Sequence, residues 1–192
     1  MDESNDNYPK RKKLRLEGYD YSIAANYFIT IVVQERLCLF GEIVDGQMVL
    51  NEAGIAIEQA VADIPNQHDG CLIFNYVIMP NHVHFILTLL GDVYLAEVMR
   101  QFKSYTTHVY IEGVKTKGWR RFNRRLWQHN YYEHIIRNHR AFEYIANYIF
   151  INPQRWGNDC INPSHVKDVD DIIKNVLVLR IMSLIKCLLY PE

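Results

Sequence analysis

The sequence predicts an α+β domain with one mainly antiparallel sheet and helices packed over one of its faces. Three observations carry this. β-branched and aromatic runs lie next to one another in pairs, turn residues separate the members of each pair, and stretches of helical periodicity separate the pairs from each other. At 192 residues, with 49% apolar and 22% charged side chains, the chain has the length and composition of one soluble globular domain.

The first 18 residues are polar, with the basic cluster Lys10-Arg11-Lys12-Lys13, and read as a flexible arm. Order is expected from Tyr19, and Tyr27 to Val33 has strand propensity. Phe40 to Val44 and Gln47 to Leu50 flank Asp45-Gly46, a dipeptide suited to a tight hairpin because both residues tolerate positive φ. Asn51 is a helix cap for a segment in which Ala53, Ala56, Ile57, Ala60, Val61 and Ile64 recur at helical spacing before Pro65. Leu72 to Met79 and His82 to Leu90 form two apolar strands around Pro80-Asn81, the second of them central. A second amphipathic helix is expected from Val93 to Ile111, with Leu95, Val98, Met99, Phe102 and Val109 inward. Glu112 to His139 is irregular, basic and aromatic, and a third helix runs from Arg140 to Ile151 until Pro153 stops it. The domain is expected to span residues 19–157. Residues 158–192 form an appendage, Asp-rich and then apolar, expected to be helical from Asp170 to Leu189.

The formal net charge is -1, but the charge is unevenly distributed. Arg100, Lys103, Lys115, Lys117, Arg120, Arg121, Arg124, Arg125, Arg137 and Arg140 face only Glu112 and Glu133 between residues 100 and 140. Such a patch suits phosphate contact, and a solvated basic face is the plainer alternative. Cys38, Cys71, Cys160 and Cys187 have no metal-ligand spacing and read as reduced thiols of a cytoplasmic protein. The apolar run from Val176 to Tyr190 is broken by Arg180 and Lys186 and is too short for a membrane span.

The most informative stretch is Met79-Pro80-Asn81-His82-Val83-His84-Phe85. Alternate side chains of a strand share a face, so His82 and His84 stand together and form half of a divalent-metal site. Taken alone, they could equally be hydrogen-bonded core histidines. On the third helix Tyr144, Tyr148 and Asn152 are spaced by four and share a face, expected to lie roughly opposite the apolar residues. An ion held by two imidazoles and the Asn152 carbonyl oxygen could polarise a phosphodiester, with Tyr148 one turn away as an in-line nucleophile. Tyr144, Tyr131 and Tyr132 are the competing nucleophiles, and capping of the helix end is the ordinary alternative role for Asn152.

His82-Val83-His84 after Met79-Pro80-Asn81, the stretch from Trp127-Gln128 through Tyr132-Glu133-His134-Ile135-Ile136-Arg137-Asn138, and Tyr148-Ile149-Phe150-Ile151-Asn152-Pro153 resemble the single-tyrosine HUH transposases, REP-associated ones above all. The resemblance spans Tyr19 to Trp156. It implies a ferredoxin-like fold and a Mg2+ or Mn2+ ion on His82 and His84, with Asn152 as third ligand and Tyr148 as nucleophile. It further implies cleavage and rejoining of single-stranded DNA through a 5′-phosphotyrosine, beside imperfect hairpins. Insertion-sequence members of this family act as homodimers, and REP-associated ones can be monomers.

The basic aromatic segment is the expected DNA surface, through Arg100, Lys103, Lys115, Lys117, Arg120, Arg121, Arg124, Arg125, Trp127, Gln128, His134 and Arg137. Two other functions compete. A domesticated protein that binds hairpins without cutting would need neither the histidines nor Tyr148. A metal-dependent hydrolase would need carboxylates beside the histidines, and in the sequence Asp92 lies at the far end of that strand.

Overall fold

A computed structural model describes residues 25–165. The expected N-terminal arm and the helix expected at 170–189 lie outside the described residues. Four strands form one antiparallel sheet: β1 (Ala25–Val32), β4 (Cys71–Met79), β5 (His82–Leu89) and β6 (Tyr132–Ile136), in the order β4-β5-β1-β6. A separate hairpin, β2 (Gly41–Val44) with β3 (Gln47–Leu50), follows β1. Helix α1 (Glu52–Ala62) and the short α2 (Ile64–Gln67) link that hairpin to β4, and α3 (Leu95–Thr116) links β5 to β6. Without the hairpin the connectivity is β-α-β-β-α-β, the ferredoxin-like arrangement, with β5 and β1 central.

Local chemistry explains most of these elements. The Asn51 side chain accepts the Gly54 amide and caps α1. Asp45 and Gly46 both have positive φ in the hairpin turn. The chain resumes after Asp63 in α2, with Pro65 in its first turn, where a missing amide hydrogen costs nothing. Tyr132–Ile136 is a strand inside the segment expected to be irregular; it is a short edge strand on β1.

Alternation along β1 and β5 divides the sheet into two faces. Tyr27, Ile29, Ile31, Val83, Phe85, Leu87 and Leu89 point to one side and join the main core with residues of α1 and α3, including Ile57, Val61, Val98 and Phe102. Trp127 belongs to this core, 3% exposed, with its indole N–H donated to Thr106 Oγ1. It therefore cannot stack on a base, and the expectation that it contacts DNA is corrected: an aromatic among arginines has the same pattern whether it faces solvent or core.

Phe28 and Ile86 point to the other side, where they meet Ile136 and the residues Ala141, Ile145 and Ile149 of α4 (His139–Ile151). The helices thus do not all share one face. α1 and α3 lie where the ferredoxin-like scheme puts them, and α4 covers the opposite face because its apolar stripe matches the one that Phe28 and Ile86 leave uncovered.

Candidate active site

The site lies on the α4 face of the sheet. Antiparallel register sets His84 beside Thr30 of β1, and Thr30 beside Tyr132 of β6; one row along, Ile86, Phe28 and His134 are aligned. His82 starts β5 immediately after the Pro80-Asn81 turn, paired with Met79 on one side and Val32 on the other. The two imidazoles are buried, 4.6 Å apart between ring centres. Their common face, expected from the spacing, is therefore present.

Each ring is anchored through Nδ1. His82 Nδ1 lies 2.9 Å from Asn81 Oδ1, and His84 Nδ1 lies 2.8 Å from Thr30 Oγ1. The Phe28 ring stacks on His84 at 5.3 Å. Each Nε2 is buried without a hydrogen-bond partner. Burial, and for His82 also the neighbouring His84, holds the His82 imidazole neutral well below its ordinary range; burial alone takes His84 down to about 3. Neutral imidazoles are in the state in which histidine ligates metals, and each has an Nε2 without a partner.

α4 brings the other two residues. Asn138 caps its start by accepting the Ala141 amide, and Ile145 and Ile149 fix its roll on the sheet. Tyr148 and Asn152 project from its last turns toward the histidines. The Tyr148 ring is 5.4 Å from His84 and 5.9 Å from Phe28. These two side chains do not lie opposite the apolar stripe as expected: positions 145, 148, 149 and 152 fall within one arc of the helix, so Tyr148 borders the stripe. Tyr144 lies outside that arc, 54% exposed.

Asn152 keeps right-handed helical geometry, with φ -57° and ψ -43°, so it is not the left-handed cap that would explain an asparagine there. Its side chain is buried, and Oδ1 has no partner. Among the described residues no three His, Cys, Asp or Glu side chains form a metal cluster, and this amide oxygen is a buried acceptor left unpartnered together with the two histidine nitrogens. The fit is good in chemical terms. Three buried acceptors, His82 Nε2, His84 Nε2 and Asn152 Oδ1, have no donor to satisfy them, and a divalent cation would satisfy all three.

One residue at the site is not visible in the sequence. After Pro153 the chain makes 3-10 turns through Asn158, setting Trp156 6.0 Å from His82, and then returns Asp159 to the histidines. Asp159 Oδ2 is 3.7 Å from His82 Nε2, and Oδ1 accepts the Ile161 amide at 2.8 Å. Burial raises the pKa of this carboxyl. Burial, with the Asp159 charge adding to it, pushes the Tyr148 phenol up to about 12, against a smaller opposing effect of the Asn152 amide. The absence of a carboxylate near the histidines, read from sequence, is thereby corrected.

The basic residues separate into two groups. Lys103 donates to the carbonyls of Gln128 and His129 at 2.7 and 2.9 Å, and so braces the loop before β6. Arg100 pairs with Glu97, Lys115 with Glu112 and Lys117 with Glu52. Arg120, Arg121, Arg124, Arg125 and Arg137 are exposed. Arg125 and Gln128 line an open polar cleft of about 560 Å³ with Gln34, His129 and Asn130. The cleft adjoins Val32, whose carbonyl accepts the Gln128 amide and which pairs with His82. His134 is half-buried on the α4 face beside Phe28. No helix among the described residues is long and apolar enough to cross a membrane.

Comparison with known proteins bears on family and fold. Residues 26–152 match the family described as transposase, IS200 like. The chain is 34% identical over 164 residues to an uncharacterized protein of Haemophilus influenzae, across 78% of this chain and 91% of that one. It is 34% identical over 83 residues to the REP-associated tyrosine transposase of Escherichia coli K12, across 43% of this chain and 44% of the relative. A solved REP-associated tyrosine transposase bound to a REP hairpin shares the fold, with a TM-score of 0.52 and 24% identity over 82% of this chain and 79% of the other.

Proposed function

The chain belongs to the IS200-like transposase family, and from that premise we propose that it cuts and rejoins single-stranded DNA beside hairpins, through a covalent 5′-phosphotyrosine on Tyr148. The observation that carries this reading is the set of three donorless acceptors, His82 Nε2, His84 Nε2 and Asn152 Oδ1, gathered at the end of α4 that also presents Tyr148. His82, His84 and Asn152 would hold the divalent cation, Mg2+ or Mn2+. Bound there, the ion would supply Lewis-acid charge to a phosphodiester oxygen.

The chain's own residues do the rest. Phe28 and Ile149 hold the α4 end against the sheet, so the phenol sits beside the imidazoles before DNA arrives. The Tyr148 oxygen gives up its proton and attacks phosphorus; the new oxygen–phosphorus bond replaces the bond to the 3′ oxygen, which takes up a proton and leaves as a hydroxyl. Rejoining reverses the step, with a 3′ hydroxyl displacing the tyrosine. One phosphoester is exchanged for another, so no external energy source is needed. With its pKa at about 12 the phenol is protonated at neutral pH, and the charge of a cation held by the neutral histidines would favour its ionisation.

The exposed arginines and the polar cleft beside Val32 are the proposed DNA surface, with Gln128 and His134 nearer the histidines. Hairpin DNA is the proposed partner, since a protein of the same fold has been solved bound to one. Asp159 keeps a second reading open, in which a water molecule is the nucleophile. Cleavage of an end-labelled single strand carrying a hairpin should stop on chelation and return with Mg2+ or Mn2+. Cleavage that persists in His82→Ala or His84→Ala contradicts the metal site.

A further inference from the structure

We propose that Asn81 is a positioning residue which decides which nitrogen of His82 faces the site, and that it does so by tying His82 to the segment after α4. The inference rests on the metal reading of His82 given above. Asn81 is fully buried between the sheet and residues 159–162. Its Nδ2 donates to two backbone carbonyls, those of Arg36 at 2.9 Å and Ile161 at 3.0 Å. Both carbonyls accept only, so they fix the orientation of the carboxamide and leave Oδ1 toward the His82 ring, 2.9 Å from Nδ1.

An amide oxygen only accepts, so Nδ1 must carry the imidazole hydrogen. The lone pair of a neutral ring is then on Nε2, the nitrogen that faces Asn152 and Asp159 without a partner. A flipped carboxamide would set its NH2 against Nδ1, move the hydrogen to Nε2 and remove the ligand; it would also turn an oxygen toward the Arg36 and Ile161 carbonyls. His84 has no such control. Its Nδ1 meets the Thr30 hydroxyl, which can donate or accept. The register of residues 159–162 against Asn81 is therefore part of what makes His82 a ligand.

The test uses the full chain with Mn2+ as the probe, and nitrogen-15 NMR of the histidines in the metal-free protein. Wild-type His82 should be protonated on Nδ1. Asn81→Asp keeps an acceptor for Nδ1 but sets its second oxygen against the Arg36 and Ile161 carbonyls, whereas Asn81→Ala loses the acceptor and the donors without that repulsion, so the stability of each variant is measured and Mn2+ affinity is compared on the folded protein. Asn81→Asp should bind Mn2+ within about threefold of wild type, and Asn81→Ala about 10- to 100-fold more weakly with a mixed His82 tautomer. Equal Mn2+ affinity in the two variants, or wild-type His82 protonated on Nε2, overturns the proposal. Should Asn81→Ala fail to fold, the wild-type tautomer and Asn81→Asp still decide. His82→Ala, measured alongside, tests the metal reading separately: if it binds Mn2+ like wild type, that reading fails whatever the tautomer.

Discussion

The two faces of the central sheet are made by the same strands and do opposite things. On the α1–α3 face, Ile29, Ile31, Val83, Phe85, Leu87 and Leu89 are sealed in a core that is mainly apolar. On the α4 face the alternate residues Thr30, His82 and His84 are as deeply buried, yet two nitrogens and one amide oxygen there go without partners. The comparison shows how a site of unpartnered polar groups is kept rigid: Val83 and Phe85, the neighbours of the two histidines, are locked into a close-packed core, so the imidazoles cannot turn away. One face supplies stability and the other uses it.

The sharpest way to break the comparison is to truncate neighbouring residues on opposite faces. His84→Ala should lower metal-dependent cleavage by about 10²-fold or more while leaving the thermal midpoint within a few degrees. Phe85→Ala, one residue on, should cost about 3–5 kcal/mol of stability and leave the activity of the molecules that remain folded largely intact. Thermal melts and cleavage assays on the two variants give the contrast directly, and equal effects on both readouts would remove it.

A smaller effect is expected at the DNA surface. Reversing the charge of the exposed Arg120, Arg121, Arg124 and Arg125 should weaken single-strand binding and flatten its salt dependence, the slope of log affinity against log salt falling by roughly 0.7 for each phosphate no longer neutralised. Lys103→Ala should act otherwise, loosening the Gln128–His129 loop, because its ammonium is spent on those two carbonyls. Binding measured across a salt series separates the two.

How much of this is legible in the sequence follows the range of the interactions. The period-two alternation of β5 is local, and so are the shared face of His82 and His84 and the central position of their strand. The cap at Asn51 and the stop at Pro153 are equally local. β6 escapes a sequence reading because its five residues lie in a basic aromatic stretch and it is a strand only by pairing with β1. Asp159 escapes for the same kind of reason: its placement depends on the 3-10 turns after Pro153 and on the bond from Asn81 to Ile161, 80 residues apart in the chain. Helical spacing by itself sets Tyr148 beside Ile145 and Ile149, and the expectation that put it opposite them is a misreading of that spacing; what no local pattern shows is the pair of rings the sheet presents to it, Phe28 and His84.

A milder test of the buried histidines is acid. In the metal-free protein His84 ionises only near pH 3, against about 6.5 once unfolded. Its folded-state pKa is depressed, so below about pH 6.5 the unfolded state binds the proton first. Stability should fall with decreasing pH, by about 1.4 kcal/mol per unit for this one group, until about pH 3. In denaturant titrations His84→Gln should show a shallower decline over that window, and an unchanged decline would mean the ring is not held neutral. The smallest effect is expected of Tyr144→Phe, whose hydroxyl is on the exposed side of α4: cleavage should be unchanged.

The central claim is that the face with unpartnered acceptors carries out chemistry through one oxygen, that of Tyr148. Incubation with Mn2+ and an end-labelled single strand bearing a hairpin should join the protein covalently to the 5′ phosphate and release a 3′ hydroxyl. Peptide mapping should place the label on Tyr148, and Tyr148→Phe should still bind metal and DNA but form no adduct. A label on Tyr131, Tyr132 or Tyr144 would contradict the assignment of the nucleophile, and cleavage without any protein adduct would contradict the covalent mechanism itself.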